Sequence, residues 1–392
     1  MNDVIYALSG DPVTIGHINI VERALGTFDR VVVGLGINPK KKYTFELDER
    51  ERLTRKVLSK FGDRVIVKSY SGLLADFAYE NQIKNIIRGA RNSADFDFER
   101  LLADINQGFN LGLETYILFA DQKLSHVSSS AVKELQEHQA KNVIDYVPLA
   151  IKEALELRIS GQLRVGITGG IGNGKSYIEK KLLELDQSYR NHIKSECLPN
   201  IPKLWSIDMD VIGRYILKES VEPIHQSVRQ TIADKFGKNL LVDGFIEVSS
   251  LLDLIFDDSR APSNRYEFEK IMAEPIMHLV RKRIVTMKGI ILICSALFVE
   301  QGICDLVNNN FIFVSCPEDI REKRLKKRGY TDIQIKNRLE AQLTPEAKLL
   351  SIKKLIREKS CGEILEFNNV EGNDTEMEAL YKSLKELYGK KI

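Results

Sequence analysis

Two short stretches of this 392-residue sequence carry residue types whose spacing suits phosphate chemistry. The more specific is RVGITGGIGNGKSY, residues 164–177, in which Gly169, Gly174, Lys175 and Ser176 form G-x-x-x-x-G-K-S after an apolar run and before a helical one. Glycines there, Gly170 and Gly172 included, let successive backbone N–H groups turn inward around phosphate oxygens. Lys175 adds positive charge, and Ser176 can hold Mg²⁺.

The second stretch, DPVTIGH at 11–17, is weaker by itself. Gly16 permits close approach of backbone to a ligand, and His17 at a helix start can donate to an anion beside the helix N–H groups. A capped helix with a buried histidine would explain it nearly as well. Its company strengthens the functional reading. INPKKKYTF offers Lys41, IIRGARNSADFDFE offers Arg88, Arg91 and Glu99, and LSHVSSSAVKE places Ser128, Ser129 and Ser130 at a helix start. Each alone could be a solvated lysine run, a surface arginine pair or a cap. They follow the second, fourth and fifth predicted strands, at the carboxyl ends where ligands of open parallel sheets bind.

A phosphate loop does not name its acceptor. SIDMD puts Asp208 and Asp210 at a strand end, next to a helix carrying Arg214; a carboxylate there can deprotonate an acceptor hydroxyl, although either aspartate could also be an N-cap. Arg324, Arg328 and Arg338 lie in a helix pair after the CPED turn, where guanidinium groups can clamp a transferring phosphoryl.

The elements that must position these groups alternate from the start. Apolar runs VIYAL, RVVVGLGI, RVIVKSY, KNIIRG and ETYILFA are separated by helix-period segments, which predicts a parallel sheet covered by helices. PLAIKEALELRIS closes this half, with Pro148 at the head of its helix, and a domain boundary is placed near 160. RVGIT, LWSID, IILICS and FIFVSC are the strands expected of the second half. DQSYRNHIKSECLPNIPK, residues 186–203, fits neither period and reads as a surface insertion.

A formal net charge of +2 and ordinary apolar content point away from nucleic-acid or membrane-surface partners and toward small-molecule substrates. Five cysteines without a CxxC pair argue against zinc and against a disulfide framework, and suit a reducing compartment. Without a signal-like start or a membrane-length apolar run, a cytoplasmic location is expected.

The first set of residues, together with LLADFA at 73–78 and His138-Gln139, resembles the bacterial phosphopantetheine adenylyltransferases, nucleotidyltransferases marked by (T/H)xGH. That resemblance implies a Rossmann-like domain over 1–160 that transfers AMP from ATP to 4′-phosphopantetheine. His17 would stabilise the α-phosphate, Ser9, Lys41 and Arg88 would hold the acceptor phosphate, and Leu73 and Leu74 would line the pantetheine groove. Gly16, Arg91, Glu99 and Ser128 to Ser130 would handle ATP. Leu8-Ser9-Gly10-Asp11-Pro12 departs from the family's Gly-Thr-Phe-Asp-Pro.

GITGGIGNGKS, SIDMDVIGR, DKFGKNLLVDG, SALFVEQG, CPEDIREKRLKKR and RLEAQL resemble dephospho-CoA kinase, in order, across most of 163–392. This implies a P-loop kinase over 161–392 with a parallel sheet and a helical lid. Lys175, Ser176 and the loop glycines would hold ATP and Mg²⁺, Asp210 would be the base, and Arg214 would contact the acceptor. Arg324, Arg328 and Arg338 would belong to the lid, with Asn368 near adenine. Glu274-Pro275 replaces the family's His-Pro, and Ala296-Leu297-Phe298 its Pro-Leu-Leu. The two resemblances imply a fused enzyme of the last two steps of coenzyme A synthesis, and the adenylyltransferase resemblance implies a homo-oligomer. Two competing readings are a nicotinamide-nucleotide adenylyltransferase fused to a riboside kinase, and an adenylyltransferase joined to a P-loop domain that binds nucleotide without catalysis.

Overall fold

The computed structural model describes residues 2–38, 40–193, 201–257 and 261–391. The chain forms two compact units, Met1–Ser160 and Gly161–Ile392. In the first, strands β1 (Asp3–Leu8), β2 (Arg30–Gly36), β3 (Val65–Tyr70), β4 (Asn85–Ala90) and β5 (Glu114–Phe119) build an all-parallel sheet in the order β3-β2-β1-β4-β5. Helices α1 (Ile15–Ala24), α2 (Leu47–Leu58), α3 (Leu74–Glu80), α4 (Ser93–Gly108), α5 (Ser129–Glu137) and α6 (Leu149–Leu155) accompany it.

The central strand explains why apolar runs rather than alternation mark this sheet. Val4 and Tyr6 of β1 pack with Ile18 and Val21 of α1, whereas Ile5 and Ala7 face Ala75 and Phe77 of α3. A strand covered on both faces needs apolar side chains at every position. The strand order reverses between β1 and β4, and the crevice outside their carboxyl ends is where such sheets bind ligands.

In the second unit, β6 (Gln162–Thr168), β7 (Leu204–Asp208), β10 (Gly289–Cys294), β11 (Phe311–Ser315) and β12 (Ile364–Asn368) form a parallel sheet ordered β12-β11-β6-β10-β7. A small antiparallel pair, β8 (Leu241–Val242) and β9 (Phe245–Ile246), turns at Asp243-Gly244, both with positive φ. The helices are α7 (Lys175–Asn191), α8 (Met209–Lys218), α9 (Pro223–Phe236), α10 (Val248–Leu252), α11 (Ala261–Ile284), α12 (Glu318–Lys327), α13 (Asp332–Glu340), α14 (Pro345–Lys359) and α15 (Asp374–Lys391).

Two features depart from the sequence reading. Strand β12 was not anticipated: at the sheet edge only Phe367 of its five residues is buried, so it has neither a continuous apolar run nor a full alternation. The 186–203 stretch is not wholly an irregular insertion, because α7 runs through its first six residues. Asp186 is buried there and accepts from Lys385 at 2.6 Å, Tyr381 at 2.9 Å, Arg190 at 2.8 Å and the Leu204 N–H at 3.1 Å. A buried carboxylate so fully paired anchors α15 and β7 to α7. Residues 194–200 of the stretch, Cys197 among them, lie outside the described residues.

Candidate active sites

The first site gathers at the carboxyl end of β1. Thr14 caps α1 and orients His17 in its first turn: the Thr14 N–H lies 3.0 Å and the Thr14 hydroxyl 2.9 Å from His17 Nδ1. With Nδ1 accepting, the ring proton resides on Nε2. Burial, Arg91 and Lys41 lower the His17 pKa to about 4, so the ring is a neutral donor at physiological pH. Lys41 Nζ lies 3.2 Å from Ser9 Oγ, which brings two residues 32 apart in sequence to one spot. Arg88 reaches from β4, donating to the Ala7 carbonyl at 2.9 Å and forming a two-point ion pair with Glu99 at 2.5 and 2.8 Å. Burial alone would depress the Arg88 pKa, but the Glu99 pairing outweighs it and raises it.

The second site surrounds the loop between β6 and α7. Gly169 has φ +145, and a Cβ there would lie 2.2 Å from the Val314 carbonyl oxygen; at Gly174, φ +89, it would lie 2.1 Å from Asn369 Nδ2. Only glycine fits either position. Lys175 folds over the loop, donating to the Gly169 and Gly170 carbonyls at 3.2 and 3.1 Å. Burial lowers its pKa to about 8, with Asp210 opposing that shift and Lys348 and Arg328 adding to it. At the end of β7, Asp208 Oδ1 caps α8 by accepting the Asp210 and Val211 N–H groups at 2.8 and 3.2 Å. Asp210 remains accessible to solvent, yet protein surrounds it closely. That desolvation and the Asp208 charge raise its carboxyl pKa, while Lys175 and Arg214 pull it down. Glu179, one helical turn past Ser176, is buried and pushed up to about 6, mainly by that burial.

Residues 9–135 match the family model described as cytidylyltransferase-like, and 194–362 match that of dephospho-CoA kinase. The chain is 42% identical over 135 residues to a phosphopantetheine adenylyltransferase from Clostridium tetani, covering 34% of this chain and 84% of the relative. A second phosphopantetheine adenylyltransferase, from Petrotoga mobilis, is 39% identical over 158 residues, covering 40% of this chain and 97% of the relative. The chain belongs to the phosphopantetheine adenylyltransferase family. Its second unit adds a dephospho-CoA kinase domain. A NadR protein in complex with NR is a distant structural likeness, at 12% identity and a TM-score of 0.32, covering 99% of this chain and 96% of that one.

Within the adenylyltransferase domain the expected residues divide. Ser9, His17, Lys41, Arg88 and Arg91 are brought together, with Gly16 in the turn that presents His17. Glu99, expected at ATP, is occupied by Arg88, and Arg91 by Asp95 at 3.0 Å. Ser128 Oγ caps α5 by accepting the Ala131 N–H at 3.0 Å, Ser129 donates to the Pro12 carbonyl at 2.9 Å, and Ser130 is exposed. Leu73 is exposed as the N-cap of α3, while Leu74 packs on the core. Gly10, in place of an aromatic residue, is buried with φ +61, and a Cβ there would meet Leu35 at 2.8 Å.

In the kinase domain, Arg324 donates to the carbonyls of Asn173 and Asn369 at 3.4 and 3.3 Å, tying α12 to the phosphate loop. Arg328 is exposed at the end of α12, and Arg214 is exposed on α8. Arg338 is instead buried, 4.8 Å over Phe256 and 4.6 Å over Tyr330. Asn368 is exposed; its neighbour Asn369 is the buried one, donating to the Asn173 carbonyl at 2.8 Å. Of the substituted positions, Phe298 joins the core and the Ala296 carbonyl accepts from the buried Lys348 at 2.5 Å. Glu274 pairs with Arg281 at 2.7 Å.

Several supporting residues escaped sequence reasoning. Asp11, fully buried, accepts the Thr44 and Phe45 N–H groups at 3.0 Å and Lys133 Nζ at 2.9 Å, which sets the base of the Lys41 loop. Arg50, also buried, donates to the Ser9 carbonyl at 2.6 Å and stacks 3.9 Å over Tyr43. Gln342 accepts the Ile171 N–H of the phosphate loop at 3.2 Å. No sequence signal separates Arg50 from the other basic residues of α2. The Gly-Asp-Pro turn was a cue for Asp11.

Proposed function

We propose that the chain carries out both final steps of coenzyme A assembly: adenylyl transfer from ATP to 4′-phosphopantetheine, then phosphorylation of the dephospho-CoA ribose 3′-hydroxyl by a second ATP. The carrying observation is that the two sites differ in the way the two acceptors demand. In the first, the acceptor phosphate oxygen bonds to the α-phosphorus of ATP as the α–β bridge breaks and pyrophosphate departs. The nucleophile is already an anion, so alignment and charge stabilisation suffice. Lys41, Ser9 and Arg88 align it, and the neutral His17 Nε2–H donates to an α-phosphate oxygen. In the second, the acceptor is a hydroxyl, and Asp210 takes its proton while the γ-phosphoryl moves from ATP to the ribose oxygen and ADP departs. Lys175 and Arg324 stand by the loop that would cradle the transferring group.

Mg²⁺, when bound, neutralises charge on the β- and γ-phosphates. The residues fit it: Ser176 offers a hard oxygen, and carboxylates lie within electrostatic reach of Lys175 and of one another. Among the described residues no group of three or more His, Cys, Asp or Glu side chains could hold a metal by itself, which suits an ion that keeps waters and phosphates as ligands.

The working form is a homo-oligomer. Exposed Phe98, Leu101, Ile105 and Phe109 run along α4, and Tyr116 and Phe119 are exposed on the edge strand β5, an apolar face that a second copy would cover. The reducing cytoplasm suits four cysteines, Cys294, Cys304, Cys316 and Cys361, which form no disulfide among the described residues. No helix among the described residues is long and apolar enough to cross a membrane.

The test is purified protein with 4′-phosphopantetheine, ATP and Mg²⁺, products followed by mass, beside Lys175→Ala and a nicotinamide mononucleotide control. Coenzyme A from wild type and dephospho-CoA from the variant support the proposal. Dephospho-CoA from both removes the kinase step, and turnover of the nicotinamide compound alone sinks the whole.

A further inference from the structure

Where a P-loop binds Mg²⁺-nucleotide, a carboxylate from a neighbouring strand end commonly complements the loop Ser or Thr. Here β10, hydrogen-bonded directly to the loop strand β6, ends on Cys294, a buried thiol whose pKa is raised by burial and by Glu179. No carboxylate stands at that strand end. The next strand out, β7, ends on Asp208, but its Oδ1 caps α8, and Asp210 is placed to serve as base.

One carboxylate of this neighbourhood has no role in the mechanism above. Glu179 lies on the inner side of α7, buried, and accepts hydrogen bonds from Ser206 of β7 and Cys294 of β10. Ser176 and Glu179 share an open groove of about 430 Å³ along α7, lined further by Lys180, Leu183, Glu184 and Gln187. The spacing i, i+3 on a helix puts them on the same face, one turn apart. The Ser206 and Cys294 contacts hold the Glu179 carboxyl against the middle of β7 and the end of β10.

We infer that Glu179 is a positioning residue for the metal of the phosphate loop, supplying from α7 the carboxylate that β10 lacks and holding a metal-bound water beside Ser176. This rests on the kinase reading for its purpose but not for its observation, since any Mg²⁺-nucleotide at the loop would use it. Asp208, Asp210 and Lys175 share the neighbourhood, with Lys348, Arg328 and Arg214 acting on Lys175 and Asp210. They set the local field, and Glu179 adds the first carboxylate along the helix after Ser176.

The experiment titrates Mn²⁺ into the full chain with ATP and reads bound metal by electron paramagnetic resonance. Wild type should show two classes of Mn²⁺–ATP, one of them abolished in Ser176→Ala. Glu179→Gln should weaken that same class about tenfold or more, leave ATP binding in EDTA unchanged, and raise the Mg²⁺ concentration needed for coenzyme A formation. Glu179→Asp should retain part of the affinity. Unchanged Mn²⁺ affinity in Glu179→Gln overturns the inference, and so does an equal loss of ATP in EDTA, which would make Glu179 a support of the loop itself. If Glu179→Gln does not fold, Glu179→Asp decides: a Mn²⁺ class as tight as in wild type, or an equal loss of ATP binding in EDTA, overturns the inference. Should wild type prove unable to phosphorylate dephospho-CoA while Glu179→Gln still loses the Mn²⁺ class, the kinase reading falls and the role of Glu179 stands.

Discussion

The two phosphate sites of this chain differ in charge balance: cations outnumber anions at the first, and both signs meet at the second. Around His17 the charged groups are chiefly cations, Lys41, Arg91 and the Glu99-paired Arg88, and burial with Arg91 and Lys41 keeps the ring neutral. Around Lys175 and Asp210 carboxylates and cations meet: Asp208 beside Asp210 and Glu179, the carboxyls of these last two raised, and Lys348, Arg328 and Arg214 opposite them. The difference follows the nucleophile. An anionic phosphate must be attracted and aligned, whereas a hydroxyl must lose a proton and therefore needs a base.

Exchanging the roles is the sharpest way to break this contrast. Asp210→Asn should slow phosphorylation of dephospho-CoA by about 10²- to 10⁴-fold, the usual worth of a positioned general base, and leave adenylyl transfer untouched in a coupled assay. The reverse variant, His17→Ala, should cost adenylyl transfer roughly 10²- to 10³-fold, as for loss of one preorganised donor, with supplied dephospho-CoA still phosphorylated at the normal rate. If Asp210→Asn proved silent, the proton would be leaving by another route.

Next in size is a structural effect. Asp11→Ala strips the partner from a buried Lys133 contact and from two backbone amides. A loss of roughly 3–5 kcal/mol in unfolding free energy is expected, read by urea denaturation of the first transition. A loss under 1 kcal/mol would mean that the Lys41 loop is held by other contacts. Thr14→Val should lower kcat for adenylyl transfer about tenfold with little change in KM for ATP, because only the orientation and tautomer of the His17 ring are released.

The smallest signal is spectroscopic. Nitrogen-15 NMR of the His17 ring should report a neutral imidazole protonated at Nε2 from pH 8 down to about 5, given a pKa lowered to about 4. The sign for stability follows. The unfolded chain takes up the proton near the ordinary value of about 6.5, so the contribution of His17 to stability is full above that pH and is lost as pH falls toward 4. A ring titrating near 6.5 in the folded protein would instead mean that it is open to water.

Much of this was legible in the residue order. The phosphate loop announces itself because only glycine tolerates the conformations and close contacts at Gly169 and Gly174, and the doubly covered sheet strands because burial on both faces demands unbroken apolar runs. Strand β12 and the helical start of the 186–203 stretch were not, since an edge strand with one buried residue and a helix anchored by a buried aspartate carry no period of their own. Asn369 rather than Asn368 bonds the phosphate loop, because β12 ends on the exposed Asn368 and the chain turns the next residue inward against Asn173.

What the sequence by itself determined is the kind of chemistry: two phosphate sites, a family for each, and the residues able to serve them. What the tertiary structure decided is how each group is engaged. Glu99 goes to Arg88, Ser128 to a helix cap and Arg338 to an aromatic pocket, while Glu179, unremarkable in sequence, comes to lie beside the phosphate loop. Local patterns follow from backbone sterics and periodicity along the chain. Pairings between residues 11 and 171 positions apart, such as Arg88 with Glu99 or Ile171 with Gln342, depend on which surfaces the packed elements bring into contact, and no short stretch encodes that.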